Sequence, residues 1–96
     1  MKFEWDEAKN QANITKHGIS FEQARQIFDG LVWTSVDDRF DYGEARFITI
    51  GALKKATVVV VAYTDRAGVT RIISARRANR TERKRYYEEI QRAFGR

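Results

Sequence analysis

The chain has 96 residues, 43% hydrophobic and 32% charged, with a net charge of +5. It has no cysteine and one histidine, His17, which excludes disulfides, thiolate catalysis, cysteine or multi-imidazole metal sites and a two-histidine nuclease mechanism. That length predicts one domain over residues 1–96 with a thin stability margin, and with no metal or phosphate-loop motif in the chain neither metal nor cofactor is expected.

The start, MKFEWDEAKN, is too polar for a signal peptide. Phe3 and Trp5 flank Glu4 in a short alternating stretch that predicts an edge strand. Asp6 is placed to cap a helix running to about Lys16, with Trp5, Ala8 and Ala12 at helical spacing. Gly18 ends it, because glycine takes the left-handed C′ position cheaply. Ser20 opens a second helix. Ser20 and Gln23 form a capping box, and Ile19 with Ala24 a hydrophobic staple. Phe21, Ala24, Ile27 and Phe28 lie on one face, and Gly30 closes the helix.

Leu31–Val36 reads as a strand, followed by the acidic connection DDRFDYGE. Three runs rich in β-branched residues come next: Ala45–Leu53, Thr57–Thr64 and Val69–Ala75. The short links Lys54-Lys55 and Asp65-Arg66-Ala67-Gly68 predict hairpins and an antiparallel meander. VVVVAY, from Val58 to Tyr63, is apolar on both faces and belongs mid-sheet under helices. It is far shorter than the ~20 residues of a membrane span, so a cytoplasmic protein with no membrane partner is expected. Ile72 and Ile73 read as core strand. A last helix runs from about Asn79 to Ala93, with Asn79 and Glu82 as reciprocal caps and Tyr86, Tyr87, Ile90 and Phe94 as its apolar stripe. The prediction is an α+β fold: two N-terminal helices and one C-terminal helix on an antiparallel sheet of about four strands.

Charge is unevenly spread. Residues 46–96 hold thirteen lysines and arginines against four acids, whereas residues 21–45 hold two arginines against six acids. The basic half favours a polyanionic partner, most simply nucleic acid; a solvated basic face is the plain alternative. The arginines concentrate in RIISARRANRTERKRYY, residues 71–87. A helix N-terminus favours anions, so Arg80, Arg83 and Lys84 sit there unfavourably unless an anion or carboxylate compensates. Arginine's planar fork suits phosphate; pairing with Asp37, Asp38, Asp41 and Glu44 would explain the cluster equally. Lys16 and His17 at a helix C-terminus suit the dipole without any function. Glu44 and Arg46 share one face of a strand start, either as a surface pair or as an acid beside a phosphate-binding cation. Arg25 borders the apolar stripe of its helix.

FEWDEAKNQANITKHGISFEQARQIF, GEARFITIG and RIISARRANRTERKRYYE together resemble the BrnT family of bacterial type II toxins, from about Phe3 to Glu89. Where that family often has Asp-Pro after the second helix, this chain has Asp29-Gly30. The resemblance implies a RelE-like fold and a ribonuclease that cleaves RNA and inhibits translation. It implies a cognate BrnA-like antitoxin as partner, carrying the DNA-binding domain, so that operator DNA is met only through it. It also implies active-site roles for Lys16, Arg25, Arg46 and the RIISAR arginines Arg71 and Arg76.

Metal-free cleavage would use the RNA 2′-OH as nucleophile, and fixed cations would supply most of the catalysis. Arg46 and Arg76 are the expected clamps on the scissile phosphate. Lys16 or Arg25 would stabilise the leaving group, and Glu44 or His17 would act as base. Arg80 and Arg83 would hold flanking phosphates, with His17, Arg71 and Arg77 as further RNA contacts and Tyr42 or Phe40 stacking on bases. Two other readings stay open: a non-catalytic nucleic-acid-binding module, and an interaction domain that meets an acidic protein.

Overall fold

The structure is a computed structural model that describes residues 1–39, 41–54 and 57–95. The elements are β1 (Lys2–Glu4), α1 (Glu7–His17), α2 (Phe21–Ala24), a 3₁₀ turn (Arg25–Asp29), β2 (Val32–Val36), β3 (Arg46–Ala52), β4 (Val58–Arg66), β5 (Val69–Arg77) and α3 (Arg80–Phe94). The fold is α+β as expected. The sheet has five strands rather than about four, in the order β1-β5-β4-β3-β2. The additional strand is β1, which pairs in parallel with β5; all other pairings are antiparallel. The doubly apolar β4 is central, flanked by two strands on either side.

Local signals in the chain account for most element ends. Asp6 accepts hydrogen bonds from the Ala8 and Lys9 N–H groups, and Gly18 closes α1 at φ 72°. The Ser20/Gln23 capping box starts α2. After one turn the helix tightens to 3₁₀. Phe21, Ala24 and Ile27, three apart and fully buried, then stack in line, since i and i+3 eclipse in that geometry. Asn79 and Glu82 form a second capping box at α3. The β4–β5 hairpin turns on two residues, Ala67 (φ 55°) and Gly68 (φ 85°), the two positive φ values of a type I′ turn.

The helices divide between the two faces. On one, Ile19, Phe21, Ala24 and Ile27 pack on Val59, Val61, Ile72 and Ala75. Fully burying a side chain such as Phe21 or Ile27 contributes about 1.5–3 kcal/mol. Gly51 is needed here: a Cβ would lie 2.8 Å from the Ile27 Cβ, so glycine lets the 3₁₀ turn sit directly on β3. An aromatic row, Phe3–Phe28–Tyr63–Phe47, with centroids 5.4, 5.6 and 5.5 Å apart, completes this cover. On the other face, α3 packs Tyr86 and Ile90 on Ile50, Val58 and Val60. It crosses one end of the sheet, and the rest of that face is left without a helix.

Three readings of side-chain direction are corrected. Ala8 and Ala12 are exposed, and α1 buries Asn10 and Asn13 instead, because α1 meets backbone polar groups rather than apolar side chains. In α3 only Tyr86 and Ile90 turn inward; Tyr87 is 46% and Phe94 63% exposed. Ile73 is the extra residue of a β-bulge, since Ala62 pairs with Ser74 and Tyr63 with Ile72. The bulge turns Ile73 out of the core, and Ile72 alone is fully buried there.

Candidate active site

Three rows of side chains cross the open face of the sheet. Glu4, Arg71, Thr64 and Arg46 form the first, Ser74, Ala62, Ile48 and Ser35 the second, and Arg76, Val60, Ile50 and Trp33 the third. The helix α3 lies along the third. Four residue steps along β3, from Arg46 to Ile50, separate the outer rows, about 13 Å at ~3.3 Å each.

The first row carries the charge. Arg71 pairs with Glu4 at 2.7 Å and Arg66 with Glu44 at 2.9 Å. Beside them, the β2–β3 connection folds onto the face. The Asp37 carboxylate, 1% exposed, accepts from Arg39 Nε at 2.8 Å and from the Tyr42 hydroxyl at 3.0 Å. The Tyr42 ring supports the Arg46 guanidinium, 3.6 Å from its centroid. Arg46 is thus held by a π face. Among the described residues it is the only strand arginine of this face without a carboxylate in ion-pair contact. Its Nε is buried without a partner, as is Oγ1 of its row neighbour Thr64. Unmet buried polar groups are costly, about 1–3 kcal/mol each, and Arg46 therefore presents a partly desolvated charge whose interactions are stronger than in water.

The carboxylates stay ionised. The Arg39 hydrogen bond holds Asp37 far below the usual carboxylate range. Glu44 is lowered, first by its bond from Arg66 and then by the charges of Arg66, Arg46 and Arg71.

In the third row, the Arg76 guanidinium is engaged bidentately by Glu82, at 2.6 and 2.7 Å. Glu82 also accepts from the Asn79 N–H and so serves cap and ion pair together. Glu82, inside the helix, thus takes up Arg76, and among the described residues Arg80, Arg83 and Lys84 have no ion pair, with the acidic connection or otherwise. Glu82 is lowered chiefly by Arg76. Arg80 and Arg83 are exposed in the first turns of α3.

The residues expected to act together are therefore divided by the sheet. Glu44, Arg46, Arg71 and Arg76 share the open face. Arg77, the next residue of β5, points to the other side, where its Nη1 reaches the His17 carbonyl at 3.5 Å. Lys16 and His17 end α1 on that side. Arg25 pairs with Glu22 at 2.7 Å and lies 5.7 Å from the Phe3 ring. Tyr42 is a platform for Arg46, whereas it was expected to be one for bases; Phe40 lies outside the described residues. The supporting set of Asp37, Arg39, Thr64 and Arg66 had no signal in periodicity, because a loop and a register bring it together.

Fold and face together describe a small, basic α+β protein with an arginine-bearing open sheet face. The family model described as "Ribonuclease toxin, BrnT, of type II toxin-antitoxin system" matches residues 5–82, and the chain belongs to that family. It is similar to the 1.1 Å crystal structure of the Brucella abortus ribonuclease toxin BrnT, with 28% identity and a TM-score of 0.64, over 83% of this chain and 99% of that one. No curated protein matches the chain. Among the described residues, no helix is long and apolar enough to cross a membrane.

Proposed function

We propose that the protein is a metal-independent endoribonuclease of one domain, and that the open sheet face is its active site. The supporting observation is Arg46: a part-buried guanidinium, held on Tyr42, with no carboxylate in ion-pair contact among the described residues. A fixed cation of that kind suits a transferring phosphoryl group. The RNA 2′-oxygen attacks phosphorus as the bond to the 5′-oxygen breaks, leaving a 2′,3′-cyclic phosphate and a 5′-hydroxyl. Arg46 meets the charge that develops on the phosphoryl oxygens. Glu44 takes the 2′-OH proton, and solvent protonates the leaving oxygen. The lowered pKa makes Glu44 a weak base, so electrostatic stabilisation carries most of the rate.

Arg71 and Arg76, each already paired, form the walls of the trough. Arg80 and Arg83 extend it along α3. Lys16, His17, Arg25 and Arg77 lie across the sheet from Arg46 and add to the field that draws RNA. RNA cleavage in the cytoplasm then inhibits translation. A BrnA-like protein antitoxin neutralises the activity, and operator DNA is met through that partner.

The test is cleavage of purified RNA in EDTA. Cyclic-phosphate ends from the wild type, absent with Arg46→Ala, are the expected result. Salt-dependent binding with no products would instead establish a non-catalytic nucleic-acid module.

A further inference from the structure

Beyond the phosphate-binding row, the open face ends in a cleft of about 380 Å³ where β2 and β3 meet α3. This lies within the roughly 300–1,000 Å³ of small-ligand sites. Ile50 and the Trp33 ring form its apolar floor; Thr81, Lys84, Arg85 and Glu88, on one side of α3, form its wall. Glu82 also lines it, which makes the cleft continuous with Arg76.

Three features go together. Trp33 is the aromatic part of that floor: the Arg85 guanidinium lies over its ring, 5.1 Å from the centroid against 3.6 Å for Arg46 on Tyr42, a looser contact that a stacking base would displace. Arg85 is anchored through its Nε to Glu89 and its side chain is 58% exposed. Two cations, Lys84 and Arg85, stand on the rim. Of the two carboxylates lining the cleft, Glu82 is occupied by Arg76 and the Asn79 N–H; among the described residues Glu88 has no ion pair.

We propose that this cleft is a base-recognition subsite for single-stranded RNA, selective for guanine. It rests on the reading of the open face as an RNA site. An apolar, aromatic floor with cations at the rim matches a base with its phosphate. A carboxylate only accepts hydrogen bonds. Guanine offers two adjacent donors, N1–H and N2–H, to one carboxylate. Adenine and cytosine offer one amino donor beside an acceptor, and uracil offers N3–H between two carbonyl oxygens. Glu88 therefore favours guanine and disfavours uracil, Trp33 stacks the base, and Lys84 and Arg85 meet its phosphate. Placed there, the guanine lies next to the Arg76 row, a short distance along the strand from the phosphate on Arg46.

The chain has two tryptophans, Trp5 and Trp33, so a Trp5→Phe variant reports on Trp33 alone. The probes are short 2′-O-methyl oligonucleotides, which bind but cannot be cleaved, with guanine, adenine, cytosine or uracil at one position. The expected result is fluorescence quenching with an apparent Kd about tenfold lower for guanine than for uracil, in keeping with contacts to a single base. Glu88→Gln should remove that preference while quenching persists. Trp33→Leu should weaken binding about tenfold or more, and Trp33→Phe should restore most of it. Equal Kd values for the four bases, or a preference unchanged in Glu88→Gln, overturn the proposal. So does quenching by an antitoxin protein but by no oligonucleotide, which would place a protein in the cleft. Cleavage of natural RNA separates the two claims: wild type and Trp33→Leu cutting alike, with no guanine preference within a few nucleotides of the cuts, sinks the subsite and leaves the ribonuclease reading intact.

Discussion

Asn13 on α1 and Ala75 on β5 are bonded as though Asn13 belonged to a neighbouring strand. The Asn13 amide donates to the Ala75 carbonyl at 2.7 Å, and its Oδ1 accepts from the Ala75 N–H at 3.1 Å. The strand β1 pairs only with residues 69–71 of β5. The Ala78 N–H donates to the Val58 carbonyl, so by antiparallel alternation the polar groups of Ala75 face away from β4. Without Asn13 they would be buried with no partner. Asn13 also donates to the Ile19 carbonyl at 2.8 Å, which ties the α1–α2 turn to the same point. Asn13→Ala is expected to destabilise the fold by about 3 kcal/mol or more, since each unmet buried group costs ~1–3 kcal/mol. Urea unfolding measures it, and a loss below 1 kcal/mol would contradict the accounting.

Arg46 and Arg76 lead to opposite expectations although both are arginines of one face. Arg46→Ala removes a charge with no carboxylate partner. Cleavage is expected to fall about 10²–10³-fold with the melting temperature nearly unchanged. Arg76→Ala leaves Glu82 without its pair and loosens the α3 cap. Its expected signature is a loss of about 1 kcal/mol or less, given the exposure of the pair, and a smaller loss of activity. Paired measurements of Tm and cleavage rate separate the two.

The bulge in β5 sets a second contrast. Ile72 is 1% exposed and packs beneath α2. Ile72→Ala is expected to cost about 2–5 kcal/mol. Ile73, turned outward by the bulge, should cost distinctly less when truncated. Chemical denaturation of both variants decides whether the bulge sits where the register puts it.

At the β4–β5 turn, Ala67 adopts φ 55°, which glycine and asparagine take more easily. Ala67→Gly or Ala67→Asn is expected to raise stability by up to about 1 kcal/mol. Thermal unfolding tests this, and a fall in Tm would contradict the type I′ assignment.

The pH dependence follows from Asp37. Its folded pKa lies well below its unfolded value because Arg39 bonds the charged form. A depressed carboxylate contributes stability that is present above the unfolded pKa, about 3.9, and is lost as pH falls through the lower folded value. Stability should therefore decline on acidification below about pH 4, with Glu82 and Glu44 adding in the same direction. Asp37→Asn should flatten that part of the Tm–pH curve. An unchanged acid limb would show that the pair does not survive in solution.

Local chemistry in the chain determined much of this protein by itself. The caps at Asp6, Ser20 and Asn79, the left-handed Gly18, the hairpins and the central VVVVAY strand all depend on near neighbours or on periodicity. The KHGISFEQA and RIISAR stretches carried the family. Tertiary structure alone decided which cations share a face. Arg76 and Arg77 are adjacent, yet strand alternation sends one to Glu82 and the other toward His17. Arg46 and Tyr42 meet because the β2–β3 connection folds back onto the sheet, and Ile73 leaves the core because one extra residue shifts the register. A polar active site is an arrangement of charges in space, and charge has no period along the chain. Glu44, Arg46, Arg71 and Arg76 were candidates from the sequence, but that they share a side, and that Arg77 does not, followed only when strand pairing fixed which way each one faces.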